Sequence, residues 1–161
     1  MPRKRPKSLD TDVARNLWKL EHWAYMRCDQ WKRSYHYTLI NEFRVHITEA
    51  KNAYIQAFDM LARFKREKAV LYSKAYGELS IVESNMDHMI ADQFCIMSEK
   101  EWAQAAEMID DIRVGLSRLT SSLTKSVGGS ELPIFGEEGV SADYKDAYYH
   151  NEYKQLKHNL L

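Results

Sequence analysis

Two groups of acidic and imidazole side chains have a spacing that could support metal binding. They lie at 42–49 and 83–88 and comprise Glu42, His46, Glu49, Glu83, Asp87 and His88. Di-iron bundles need a Glu three residues before a His on two helices, and no Glu in this chain has that position. A solvated helix face is therefore the better interpretation. A bundle metalloprotein built on Glu42, His46, Glu83 and His88 is kept as an alternative.

The sequence lacks the short motifs that mark most nucleotide-binding and hydrolytic sites. GxxxxGK[ST], GxGxxG, GxSxG and HExxH do not occur. The glycines near 128–139 follow a helical pattern and do not connect a strand to a helix, so they form no phosphate-binding loop. We therefore expect neither a cofactor nor a metal.

Aromatic and basic residues alternate closely in residues 18–46, where three of the four tryptophans occur. Basic side chains can neutralise phosphates, and aromatic rings can stack on unpaired bases. The same residue types are also frequent at protein interfaces and in bundle cores. Trp31 is expected in the core, but Trp18 and Trp23 cannot both share a helix face with Leu17 and Leu20. Some aromatic surface is therefore left for a partner or for another copy of the chain.

Charge is distributed unevenly although the total is zero. Residues 1–70 contain 15 Lys and Arg against 8 Asp and Glu, and residues 71–161 contain 8 against 15. The basic half could contact an anionic partner such as nucleic acid. Alternatively, the two halves could attract each other within the fold.

Apolar residues recur every three or four residues along most of the chain, which is the period of an amphipathic helix. Ser8 or Asp10 could cap the first helix, and Ser98 with Glu101 forms a capping box before the fourth. The four apolar stripes consist of Val13, Leu17, Leu20, Ala24, Cys28 and Trp31; Leu39, Phe43, Ile47, Ala50, Tyr54, Ala57 and Leu61; Tyr72, Ala75, Leu79, Val82, Met86 and Met89; and Trp102, Ala105, Ile109, Ile112, Leu116, Leu119 and Leu123.

These stripes predict an all-α protein, an antiparallel up-down four-helix bundle. We expect a basic tail at 1–9, the bundle at 10–125, a linker at 126–142 and an amphipathic segment at 143–161 that could form a short fifth helix. A turn is favoured at 62–68 because the apolar register shifts there, although one continuous long helix is the alternative.

Composition is consistent with one globular domain of 161 residues, with 45% hydrophobic and 29% charged residues. The apolar runs are too short to span a membrane. Two cysteines without CxxC spacing predict reduced thiols in a cytoplasmic protein.

Four segments within about residues 15–125 match a family pattern in the same order. Residues 31–39 read WKRSYHYTL, where the family has a pattern like Phe-Pro-Lys-Ser-x-Arg-Phe/Tyr-Thr-Leu between its first two helices. The aliphatic-x-x-Ala pattern of the second helix corresponds to 47–50 and 54–57. Residues 68–79 correspond to the start of the third helix, and residues 98–102 to the Ser-x-Lys/Glu-x-aromatic start of the fourth. The chain thus resembles the accessory variability determinant (Avd-like) proteins of diversity-generating retroelements, which are related to proteins encoded in 23S rRNA intervening sequences.

The resemblance implies a homopentameric, non-catalytic accessory protein. Such a protein binds the reverse transcriptase of the retroelement and its template-repeat RNA, and it supports mutagenic reverse transcription. An rRNA intervening-sequence protein of obscure role is the alternative within the same group. Charge placement in the basic half then suggests the residues that contact the polymerase or nucleic acid: Arg27, Lys32, Arg33, Arg44, Arg63, Lys65 and Arg66.

Overall fold

The computed structural model describes residues 11–127, and of residues 126 and 127 only the helical backbone. Four helices follow one another: α1 (Asp12–Cys28), α2 (Leu39–Asp59), α3 (Lys65–Ile90) and α4 (Glu99–Val127). A short 3-10 turn, Arg33–Tyr35, lies between α1 and α2. Each helix packs beside the next, and α4 packs back against α1. The predicted antiparallel four-helix bundle is therefore confirmed.

The connections alternate between the two ends of the bundle. We call the upper end the one where α1 joins α2 and α3 joins α4, and the lower end the one where α2 joins α3. The N-terminus of α1 and the C-terminus of α4 also lie at the lower end. The predicted linker and fifth helix fall mostly outside residues 11–127, and α4 runs to Val127, two residues past the expected end of the bundle.

The first and fourth helices have side-chain caps at their N-termini, whereas α2 and α3 have none. Thr11 caps α1 by accepting a hydrogen bond from the Ala14 amide at 3.2 Å, so the expectation that Ser8 or Asp10 does so is wrong. The capping box of α4 is confirmed: the Glu101 amide donates to Ser98 Oγ at 3.1 Å, and the Ser98 amide donates to Glu101 Oε1 at 3.0 Å. Each bond satisfies a backbone donor that the first turn of a helix leaves unpaired.

A turn connects α2 and α3, as predicted, but it comprises residues 60–64, since residues 65–68 already belong to α3. Its five residues are held by Lys68, whose Nζ donates to the carbonyl oxygens of Met60 at 3.0 Å and Phe58 at 3.4 Å. These carbonyls belong to the end of α2, where helical partners run out. Leu61 was expected to continue the apolar stripe but is exposed, because the helix has already ended at Asp59.

One core runs through the bundle and contains most of the predicted stripe residues. Trp31 is buried as expected, although it lies beyond the end of α1. The stripe of α4 departs from the prediction at its C-terminal end, where Leu119 and Leu123 are half-buried while Thr120 and Thr124 are buried. Both threonine hydroxyls donate to the carbonyl four residues earlier, at 3.0 and 2.9 Å. Neither of these two hydroxyls is therefore left unpaired by its burial. No helix within residues 11–127 combines the length and apolar character needed to cross a bilayer.

Candidate nucleic-acid interface

The seven basic residues predicted to bind a partner do not form one surface. Arg27, Lys32, Arg33 and Arg44 lie at or near the upper end, at the end of α1, in the following turn and in the first part of α2. The other three, Arg63, Lys65 and Arg66, lie in the α2–α3 connection and the start of α3, at the lower end. The 21 residues of α2 separate Lys32 and Arg33 from the lower group, which corresponds to about 30 Å, whereas Arg44 belongs to α2 itself and lies closer.

Lys32 and Arg33 are the most accessible members of the upper group. Both are exposed, and within the described part of the chain neither side chain has a hydrogen-bond or ion-pair partner. Tyr37 follows them and is 95% exposed. Two unpaired cations and an open phenol ring within one short segment provide groups for contact with a phosphate and with a base.

Arg27 and Arg44 are held in place by neighbouring side chains. Arg27 is half-buried, with its Nε 4.0 Å from Glu101 Oε2 of α4 and its Nη1 donating to Gln30 Oε1 at 3.4 Å. The exposed Arg44 guanidinium lies 5.0 Å from the centre of the Tyr25 ring. Arg27 therefore links α1 to α4, and Arg44 forms a cation–π contact between α1 and α2.

The lower group has its own local contacts. The Arg63 guanidinium lies 4.8 Å from the centre of the exposed Phe64 ring. Lys65 is half-buried and Arg66 is exposed in the first turn of α3. The seven predicted residues thus fall into two groups, because the up-down topology places successive connections at opposite ends.

The structure also shows a groove to which, among its described lining residues, only Arg27 was predicted as a site residue. It lies between α1 and α4, has a volume of about 470 Å³ and is lined by Trp18, His22, Met26 and Met108 together with basic residues. Trp18 is 59% exposed, and its ring stacks on His22 with centroids 5.0 Å apart and planes inclined by 6°. The four-residue spacing of Trp18 and His22, off the apolar stripe, is the sequence signal that could have identified it.

Several of the residues considered for a metal site are bonded to protein side chains. His46 Nδ1 lies 2.5 Å from Glu78 Oε2, and its Nε2 lies 3.5 Å from Glu42 Oε2. Glu83 Oε1 accepts from Arg113 Nη1 at 2.8 Å, and His88 is exposed. Across residues 11–127 no three His, Cys, Asp or Glu side chains are grouped so that they could hold a metal ion.

Ion pairs show how far the basic and acidic halves attract each other. Arg27–Glu101 joins the two halves. Lys51–Glu21 lies within the basic half, at 2.8 Å, and Arg113–Glu83 within the acidic half, also at 2.8 Å. Mutual attraction of the halves is therefore present but leaves Lys32 and Arg33 without an acidic partner among the described residues.

The strongly shifted pKa values belong to the core and not to the basic surfaces. Burial raises the pKa of the Cys28 thiol to about 11, with Arg44 opposing and Asp29 adding to this shift. Burial likewise raises the pKa of Tyr72 to about 12, with a further contribution from Tyr54. The pKa of Tyr54 is raised mainly by burial, which its hydrogen bond with Thr11 partly offsets. These groups are neutral at physiological pH and carry no acid–base chemistry at the surface.

Comparisons with protein-family models, with curated proteins and with solved structures give no match for this chain.

Proposed function

We propose that this protein is a non-catalytic accessory protein of a diversity-generating retroelement, which binds a reverse transcriptase and its template RNA. The proposal combines the Avd-like pattern of the sequence with the surface that the bundle presents. The observation that carries it is the exposure of Lys32 and Arg33, unpaired within the described residues, next to the open Tyr37 ring. The proposal includes a homopentameric assembly and a cytoplasmic location.

The chemistry required of such a protein is binding, and the upper end is suited to it. Each Lys or Arg that neutralises a phosphate releases condensed counterions, which makes binding favourable and dependent on salt. Lys32 and Arg33 lie in the short connection between α1 and α2, so the backbone that carries them is held between two helices of the bundle. The bundle thus acts as a rigid support for a strand of RNA.

The division of the basic residues into two groups supports a protein with two partners. In the proposal the upper end contacts RNA, and the lower group of Arg63, Lys65 and Arg66 leaves a second surface for the polymerase. With about 30 Å between the groups, one partner does not block the other. A single basic surface would have forced the two partners to compete.

The proposal is tested by charge reversal at the upper end. Lys32→Glu with Arg33→Glu should lower RNA recovery in a pull-down by at least tenfold, since two phosphate contacts become repulsive. Neither side chain has a partner among residues 11–127, so the midpoint of thermal unfolding of the variant should match that of the original chain. RNA sequencing and mass spectrometry of the recovered material identify the RNA and the polymerase.

The matched control is Lys74→Glu with Arg118→Glu, which changes the charge equally at two exposed sites away from the upper end. This control should recover as much RNA as the unaltered chain. Equal recovery with the Lys32 and Arg33 reversals, or recovery of no reverse transcriptase with any form of the chain, contradicts the proposal.

A further inference from the structure

The groove between α1 and α4 has the chemistry of a site for unpaired bases. Trp18 and His22 form an almost parallel ring stack, and more than half of the Trp18 surface is exposed. Met26 of α1 and Met108 of α4 supply apolar walls. Indole and imidazole faces bind any base by stacking, without reading its identity.

The charges that line the groove are complementary to a phosphate backbone. Lys19 and Arg27 line it, and no carboxylate among residues 11–127 does, although the Nε of Arg27 also lies 4.0 Å from Glu101 Oε2. Lys19 is exposed and has no partner among residues 11–127. A volume of about 470 Å³ lies within the range of roughly 300–1,000 Å³ that holds a ligand the size of a nucleotide.

A second groove, of about 710 Å³ along α3 and α4, lacks this combination. It is lined by cations and by Asp110, with serine hydroxyls between them. Its aromatic residue, Tyr76, is half-buried and has the Arg113 guanidinium 5.3 Å from its ring centre. No open ring face is therefore shown there for a base.

We propose that the α1–α4 groove binds single-stranded RNA by stacking an unpaired base on Trp18 while Lys19 and Arg27 contact the flanking phosphates. This inference rests on the proposed function and specifies which form of RNA the protein selects. A duplex keeps its bases stacked on one another, so it cannot offer a ring to Trp18. The groove therefore distinguishes single-stranded from double-stranded RNA.

The test measures binding of a labelled oligouridylate and of an RNA duplex of equal length by the full chain. Trp18→Ala should weaken oligouridylate binding by about fivefold or more, as expected for loss of one stacked base, and leave duplex binding unchanged. Trp18→Phe keeps a ring and should recover most of the affinity. Ile81→Ala removes an exposed apolar side chain from α3, outside the groove, and should have no effect.

The outcomes separate this inference from the proposed function. Equal oligouridylate binding by the Trp18→Ala variant overturns the inference, even if the pull-down still recovers a reverse transcriptase. Selective loss of oligouridylate binding supports it, even if no polymerase is recovered. The inference is also overturned if the unaltered chain does not bind oligouridylate. If the Trp18→Ala variant loses a bound protein but keeps its RNA, the groove is a protein interface and the inference is again overturned.

Discussion

The Cys28 thiol lies in the core at the end of α1, where water cannot solvate a thiolate. Burial therefore raises its pKa from 9.0 to about 11. In the unfolded chain the thiol is exposed and loses its proton at a lower pH. Between these two values the folded protein keeps a proton that the unfolded chain has released, so stability falls as pH rises.

We predict that the urea midpoint of unfolding decreases between pH 8 and pH 10.5. Tyr72, with its pKa raised to about 12, adds to the decrease at the upper part of this range. Cys28→Ala removes the thiol and should make the decrease smaller. An identical decrease with and without the Cys28 thiol would assign the pH dependence to the tyrosines alone.

At the level of single residues, the sequence identifies which side chains are basic but not what they contact. Lys32 and Arg33 follow a helical stripe and precede another, so their exposure could be expected. The contact of Arg44 with Tyr25 and that of Arg27 with Glu101 join different helices. Such contacts depend on the rotation of each helix, which a hydrophobic stripe defines only approximately.

Two glycines in helix interiors have different surroundings. A methyl group added at Gly115 of α4 would overlap with Val13 Cγ2 of α1, whereas one added at Gly77 of α3 would meet no atom within 4 Å. Gly115 thus permits the close approach of α1 to α4. Gly77 has no such role and only lowers the helix propensity of α3.

We predict that Gly115→Ala lowers the free energy of unfolding by about 1 kcal/mol or more, because the Val13 side chain has few rotamers with which to avoid the clash. Gly77→Ala should raise it by about 0.5–1 kcal/mol through helix propensity. Urea unfolding followed by circular dichroism measures both changes.

Adding Val13→Ala to the Gly115→Ala variant provides space for the new methyl group and tests the cause of the loss. The double variant should be more stable than the two single changes predict if they are added. Simple additivity would show that the cost at Gly115 does not come from contact with Val13.

At the level of helices, prediction from the sequence is accurate in the middle and fails at the ends. The stripe of α3 from Tyr72 to Met89 is buried throughout, and the capping box at Ser98 locates the start of α4. Leu61 and Thr120 are the instructive failures. Periodicity alone does not show where α2 ends before Leu61, and nothing in the pattern shows that Thr120 can be buried because its hydroxyl bonds to the Leu116 carbonyl.

At the scale of the whole molecule, the helices differ in length. α1 has 17 residues and α4 has 29, and Val13 lies near Gly115. The part of α4 beyond about residue 117 therefore extends past the start of α1. Within residues 11–127, α1 begins near the level of Gly115, so it does not extend beside the part of α4 beyond about residue 117.

We predict that amide hydrogens at 117–125 exchange faster than those at 102–112, although both lie in the same helix. Fewer packed neighbours lower the free energy of local opening. Hydrogen–deuterium exchange with mass spectrometry measures both segments in one experiment. If the amide hydrogens of both segments exchange at the same rate, packing against α1 does not account for the local stability of α4.

The fold could be predicted at this scale, but the arrangement of the site could not. Four stripes with short connections are enough for an up-down bundle. The difference in charge between the halves of the sequence does not show where the basic residues lie in the fold, and Lys32 and Arg63 lie at opposite ends. Counting charges along the sequence does not assign them to the upper or the lower end of the bundle, because each helix carries the chain from one end to the other.

The aromatic residues divide the bundle in a way that matters for spectroscopy. The ring centres of Trp23 and Trp31 lie 6.2 Å apart at the upper end, where the indole N–H of Trp102 also donates to Asp87. The fourth tryptophan, Trp18, lies on the surface of α1. The lower core contains Tyr54, whose ring centre lies 6.1 Å from that of Tyr72. Tryptophan emission therefore reports mainly on the upper end. An opening confined to the lower end would leave this emission unchanged while circular dichroism registers the loss of helix, so the two signals together resolve which end melts.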